Sequence, residues 1–209
     1  PEAGSDATSQ RTTAIDKGDH YLLNGTKNWI TNGGSASYYI VIAQTDIDKK
    51  HKGINAFIVE KDWEGFTVGA KENKMGIRAS DTHTLMFTDV KVPKENRIGE
   101  DGFGFSFAMK VLSGGRIGIA AQALGIASGA MEFAIAYSKE REAFGKPIIQ
   151  HQAIAFKLAD MATTVEASRL LCLKAAWMKD AGLNFDKESA MAKVFASQTA
   201  MDLSLIHIS

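Results

Sequence analysis

The stretch Asn24-Gly25-Thr26-Lys27-Asn28-Trp29-Ile30-Thr31-Asn32-Gly33 offers the most chemistry per residue in this chain. It reads as a short β run bounded by two Asn-Gly pairs, and Asn-Gly is a strong hairpin signal. Side chains alternate faces along a strand, so Trp29 and Thr31 share one face and Ile30 points the other way. An indole beside a hydroxyl suits a flat, polar-edged cofactor such as a flavin, with the ring as a wall and the hydroxyl bonding a ring heteroatom. The same spacing also suits a plain hairpin with a half-buried Trp. Arg141 and Gln152 flank a break in helical pattern, where an Arg is commonly solvated or in a surface ion pair. Arg116 lies inside a long apolar helical pattern. A guanidinium there needs an ion pair within the protein or a polar or anionic ligand, because burying an unpaired charge is costly.

Other chemistries find no support in the residues. Gly102-Phe103-Gly104-Phe105-Ser106-Phe107 is close to a dinucleotide fingerprint, but Phe107 stands where the third Gly belongs and no βαβ unit surrounds it. There is no Gly-x-Ser-x-Gly elbow and no phosphate loop. The five histidines show no metal-ligand spacing. Lys plus Arg is 24 and Asp plus Glu is 24, a balance that gives no reason to expect nucleic acid or an anionic membrane surface. Cys172 is the single cysteine, so no internal disulfide forms and a reducing compartment is expected. Its neighbours Leu170, Leu171 and Leu173 place it in a core.

These residues need elements to hold them. With 209 residues, 45% of them hydrophobic and 23% charged, the chain is long enough for one large or two small globular domains. An α+β fold is expected: a β domain over 1–92, as a barrel or sandwich, followed by an antiparallel helical bundle over 93–209. Candidate strands are Arg11–Ile15, Tyr21–Leu23, Thr26–Thr31, Tyr38–Gln44, Asn55–Glu60, Phe66–Ala70 and Thr84–Val90. Pro93 marks the boundary. A helix from Phe103 to Lys139 is apolar on nearly every side, so neighbouring helices, a ligand or another subunit must cover it. Its uncharged run, Ile117 to Met131, is shorter than the ~20 apolar residues of a membrane span. A second helix starts near His151, with Ile154, Leu158, Met161 and Val165 on one stripe, and ends at Gly182. Asp186 is a candidate N-cap for a third.

Five segments in order resemble the acyl-CoA dehydrogenases, most of all their short-chain (butyryl-CoA) branch. They are Pro1–Asp6, Leu23–Asn32, Met75-Gly76-Ile77-Arg78, Gly115–Gly125, and Arg141-Glu142-Ala143-Phe144-Gly145-Lys146-Pro147 with Gln152. The resemblance runs from residue 1 to about Asp202. It implies FAD held between the β domain and the bundle, an acyl-CoA substrate, electron-transferring flavoprotein as acceptor, and a homotetramer built as a dimer of dimers. By motif position, Gly4, Ser5, Trp29, Ile30 and Thr31 would bind the flavin, and Ser5 would also meet the thioester end of the substrate. Arg141, Phe144 and Gln152 would contact FAD of the neighbouring subunit. Ser113, Gly114, Gly115 and Arg116 would bind substrate. Short-chain members often have Asp where this chain has Ser113, a departure that bears on one polar contact to CoA.

The reaction implied is α,β-dehydrogenation of the thioester, which needs a base to take the α-proton. The short-chain branch places that base, a Glu before Gly-Thr/Ser, late in the bundle, and no such motif occurs here. Relatives that carry it on the long helix have it where this chain has Gly115. No catalytic residue is therefore expected within the chain, and residues 1–209 alone are expected to be inactive. The opening on Pro1 and the atypical tail 203–209 read as those of a fragment, with three of the family's four bundle helices. A bacterial cytoplasm is the preferred compartment and a mitochondrial matrix the other. Rival readings are an acyl-CoA oxidase or flavin monooxygenase of the same fold, and a non-catalytic helical interaction module.

Overall fold

A computed structural model describes residues 1–4 and 6–205. The chain forms two compact units, 1–109 and 110–209. The first carries a six-stranded mixed sheet: β1 (Thr13–Asp16), β2 (His20–Thr31), β3 (Tyr38–Gln44), β4 (Ile54–Glu60), β5 (Phe66–Lys71) and β6 (Thr82–Pro93), in the order β4-β3-β1-β2-β6-β5. All neighbours run antiparallel except β1 and β3. The sheet curls on itself, since Tyr39 of β3 meets Phe66 of β5 edge-on at 4.9 Å although three strands separate them in the sheet. Leu23, Val41, Phe57, Val59, Val90 and Val92 fill the core inside that curl.

The expected Asn24-Gly25 hairpin does not form. The two short strands expected on either side of it are one continuous β2, and the turn into it is Lys17–Asp19, where the Lys17 N–H meets the His20 carbonyl. Asn24 instead bonds sideways to Asp89 of β6, donating to its carboxylate and accepting its N–H, both at 2.9 Å. Gly25 is needed for close approach rather than for a turn: a Cβ there would lie 2.6 Å from the Thr12 hydroxyl. Long-range pairing with β6 has overridden the local signal.

The helix α1 (Phe103–Glu140) starts in the first unit. Asn55, fully buried in β4, ties that start down: its amide donates to Asp101 and Thr45, and its carbonyl accepts the Gly102 N–H. In the second unit the rest of α1 packs with α2 (Gln152–Asp180) and α3 (Asp186–Leu205) through Ala120, Ala123, Ala127, Val165, Cys172 and Ala196. A short hairpin, β7 (Glu142–Ala143) and β8 (Lys146–Pro147), joins α1 to α2. Asp186 is the first helical residue of α3 rather than its cap, and its own N–H is taken by the Asn184 side chain at 3.1 Å.

The opposite side of α1 is bare. Val111, Leu112, Ile119, Ile126, Phe133 and Tyr137 are all exposed. By length and composition α1 is the one helix among the described residues long and apolar enough to cross a membrane. The uncharged segment is only its middle, and a spanning window tolerates a charge or two at its margins.

Candidate cofactor site

In the first unit the strand β2 slips against β6 just where the chemistry is concentrated. Lys27 pairs with Leu85 and Ile30 with His83, so Asn28 and Trp29 together oppose the single residue Thr84. This is a β-bulge, with Trp29 at φ +60°. Bulges bend a strand and re-aim side chains. Before the bulge the odd positions face inward: Tyr21 and Leu23 are buried, and Lys27 pairs with buried Leu85. Strict alternation from Leu23 would therefore send Trp29 and Thr31 inward too. The extra residue inverts the parity. Ile30 packs against the core, while Trp29, 67% exposed, and Thr31 stand outside it. A Trp held at positive φ is a strained arrangement of the kind that collects at functional sites.

Trp29 lines a cleft of about 410 Å³ together with Ala3, Gly4, Arg11, Gly25 and Lys27. Ile30 and Thr31 line an adjoining cavity of about 470 Å³ with Lys27, Tyr39 and Leu85. Gly4 and Trp29, assigned to one cofactor from the sequence, thus border one cleft. Nothing lies within 4 Å of where a Cβ of Gly4 would be. Ser5 lies outside the described residues. Lys27 borders both cavities and escaped the sequence reading. Burial pushes its ammonium down to about 8, and its bond is to the Gln10 side-chain carbonyl at 3.1 Å. Gln10 in turn donates to the Ala7 carbonyl at 3.3 Å, so β2 is tied to the segment that follows Gly4. An open indole face, a hydroxyl two residues away and a glycine-lined cleft form a donor set that fits a flat heteroaromatic cofactor.

In the second unit Arg141, Phe144 and Gln152 fall within the β7–β8 hairpin and the start of α2, all exposed. Phe144 is 95% exposed at φ +54°, and its ring meets His151 edge-on at 5.9 Å. The Arg141 carbonyl accepts the Ile148 N–H at 2.8 Å, and His151 Nε2 lies 3.0 Å from the Ala143 carbonyl, fixing the hairpin. On α1, Ser113 is buried and Arg116 exposed, with its guanidinium 3.5 Å from the Ser113 hydroxyl. A Cβ on Gly114 would sit 3.6 Å from Lys179 Nζ, whereas Gly115 and Gly118 face open space. Near the start of α1 Asp101 is engaged by Asn55, Arg97 and Lys49. Among the described residues no His, Cys, Asp and Glu group could hold a metal ion.

Family models match nearly the whole chain. Residues 1–90 match the acyl-CoA dehydrogenase middle domain and residues 102–206 the acyl-CoA dehydrogenase C-terminal domain. The sequence is 52% identical over 204 residues to a short-chain-specific acyl-CoA dehydrogenase of Clostridium acetobutylicum, covering 98% of this chain and 54% of that one. It is similar in structure to butyryl-CoA dehydrogenase from Megasphaera elsdenii, with a TM-score of 0.95 and 54% identity over 98% of this chain and 54% of that one. A chain in a structure concerned with the electron transferring flavoprotein of Acidaminococcus fermentans is also similar, with a TM-score of 0.94 and 53% identity over 98% of this chain and 54% of that one. The chain spans about half the length of the relatives it matches.

Proposed function

Because the chain belongs to the acyl-CoA dehydrogenase family, we propose that it supplies the flavin edge and part of the substrate site of an enzyme that dehydrogenates a short-chain acyl-CoA thioester at its α,β bond. The observation that carries this reading is the bulge that turns Trp29 and Thr31 out of the β core, with Trp29 lining the Gly4 cleft. FAD, when bound, accepts the hydride that leaves the β-carbon. Trp29 walls the flavin, and the Thr31 hydroxyl donates a hydrogen bond to its edge. Gly4 and Ser5 approach it through backbone that carries little bulk, and Ile30 anchors the strand in the core. Arg141, Phe144 and Gln152 reach FAD of a second subunit, a role that their exposure leaves open to them. Ser113, Gly114, Gly115 and Arg116 receive the substrate on α1, where the glycines leave room. The chain contributes no base for the α-proton, and residues 1–209 alone do not turn over.

The acceptor we propose is electron-transferring flavoprotein, supported by the structure of the similar Acidaminococcus fermentans work. A homotetramer fits the bare apolar side of α1, which a second copy would cover. The compartment we propose is a bacterial cytoplasm, with a mitochondrial matrix as the other reading, since similar relatives include both bacterial enzymes and a mitochondrial one of Rattus norvegicus. The test compares wild type, Thr31→Val and Arg141→Ala by FAD titration and by single-turnover reduction with butyryl-CoA in the full-length enzyme. Thr31→Val should keep FAD yet slow reduction by about tenfold or more, the effect of losing a preorganised donor. Arg141→Ala should weaken FAD binding. Unchanged reduction in the first and unchanged affinity in the second would refute the two roles.

A further inference from the structure

The turn after Thr31 is held by two residues that no proposed chemistry uses. One carboxylate oxygen of Asp81 accepts the Gly34 N–H at 2.8 Å, the Ser35 N–H at 3.0 Å and the Ser35 hydroxyl at 3.3 Å. Its other oxygen lies 2.6 Å from Nε2 of His83. His83 Nδ1 lies 2.7 Å from the Gly69 carbonyl of β5. The Asn32 N–H bonds the Asp81 carbonyl at 2.8 Å. Tyr39 shares its hydroxyl between the carbonyls of Gly33 and Ala36, and Lys61 donates to the Gly34 carbonyl. The imidazole and the turn are in direct contact. A Cβ on Gly34 would lie 2.7 Å from His83 Nε2, and one on Gly33 would lie 2.9 Å from His83 Cβ. Only a Gly-Gly pair lets the turn settle this close.

The position of Gly69 gives the arrangement its meaning. Strand β5 also slips against β6, since Val68 pairs with Leu85 and Lys71 with His83, so Gly69 and Ala70 oppose the same Thr84 that Asn28 and Trp29 oppose. Two bulges thus flank one residue of β6. A bulge disrupts the ladder locally and leaves backbone groups in need of other partners. His83 reaches the carbonyl of one bulged strand, and Asp81 takes the N–H groups of the turn that follows the other. Both ring nitrogens of His83 lie against oxygen atoms, so the ring bridges the Asp81 carboxylate and the Gly69 carbonyl.

We propose that Asp81 and His83 form a clasp that fixes the paired bulges and the Asn32–Ala36 turn, and so positions Trp29 and Thr31 for the flavin. This rests on the flavin reading above. Neither residue touches the cofactor; both are positioning residues.

The test uses His83→Leu and Asp81→Asn in the holoprotein, with Asp89→Ala as a control. Asp89 lies in a separate bulge of β6, opposite Asn24 and away from Trp29. All three variants should lower Tm. His83→Leu and Asp81→Asn alone should change the visible circular dichroism of bound flavin and weaken FAD affinity by about tenfold, as expected for losing charge-assisted hydrogen bonds. Flavin dichroism and affinity unchanged in both, or altered equally in Asp89→Ala, would overturn the proposal. Asp81→Asn keeps the shape of the side chain and guards against loss of folding in His83→Leu. A wild-type protein that binds no FAD would remove the flavin reading. The clasp is then read from amide exchange: faster exchange at Gly34 and Ser35 together with a shift in Trp29 emission in the variants sustains it, and wild-type protection in the variants removes it.

Discussion

Lys27 is a cation on the core side of β2, opposite Leu85. Burial lowers its pKa from 10.5 to about 8. The folded protein therefore gives up this proton at lower pH than the unfolded chain does. Between those two values the unfolded state binds more protons, and stability rises with pH. Below about pH 8 the full cost of the buried charge is present. Lys27→Met should stabilise the protein at neutral pH by roughly 1–2 kcal/mol, a figure discounted for the partial exposure of the ammonium. The gain should fade as pH rises from about 8 through 10.5, above which both states are neutral. Urea unfolding of both proteins across this range measures it, and a difference that does not change with pH would contradict the burial of the charge. Asp81 works in the opposite sense. Burial acts to raise its carboxyl, but the Gly34 N–H, the His83 ring and Ser35 outweigh it and hold the group below its ordinary value. Its contribution is present above the ordinary carboxylate range and fades as pH falls through its lowered value.

At the scale of elements, α1 carries glycines that do two different jobs. Gly104 presses on backbone: a Cβ there would lie 2.4 Å from the Asn55 carbonyl carbon. Gly104→Ala should destabilise the first unit by roughly 1–3 kcal/mol, the usual cost of overpacking. Gly118 faces open space, so Gly118→Ala should gain roughly 1 kcal/mol of helix propensity. Thermal unfolding separates the two, and a neutral Gly104→Ala would show that the helix start is not docked on β4. Sequence patterns located α1, α2 and α3 closely, because long periodic segments are decided by their own residues. The strand edges Tyr38–Gln44 and Glu60 were legible for the same reason. The bulge at Asn28–Trp29 was not, because it depends on pairing with Thr84, 55 residues or more away in the chain. The shared side of Trp29 and Thr31 was legible from a period of two, but that the side is the outer one arises from the bulge. The Asn24-Gly25 pair misled for the opposite reason: a strong local turn signal lost to non-local pairing.

For the whole molecule, the family motifs conveyed more than any physical pattern, since Gly4, Arg141 and Ser113 have nothing in composition or spacing to mark them. The bare face of α1 and the exposed Phe144 form apolar surface that the proposed tetramer would cover. The account turns on one claim: β2 presents Trp29 and Thr31 to a flavin that short-chain acyl-CoA reduces. The direct measurement is anaerobic mixing of the FAD-loaded full-length enzyme, which supplies the base this chain lacks, with butyryl-CoA, following the visible flavin absorbance, and then reoxidation by electron-transferring flavoprotein or by air. The account predicts rapid bleaching, fast recovery with the flavoprotein and slow recovery in air. Rapid bleaching with rapid peroxide formation in air would assign the fold to an oxidase instead. A full-length enzyme that binds FAD but does not bleach with any short acyl-CoA would contradict the account.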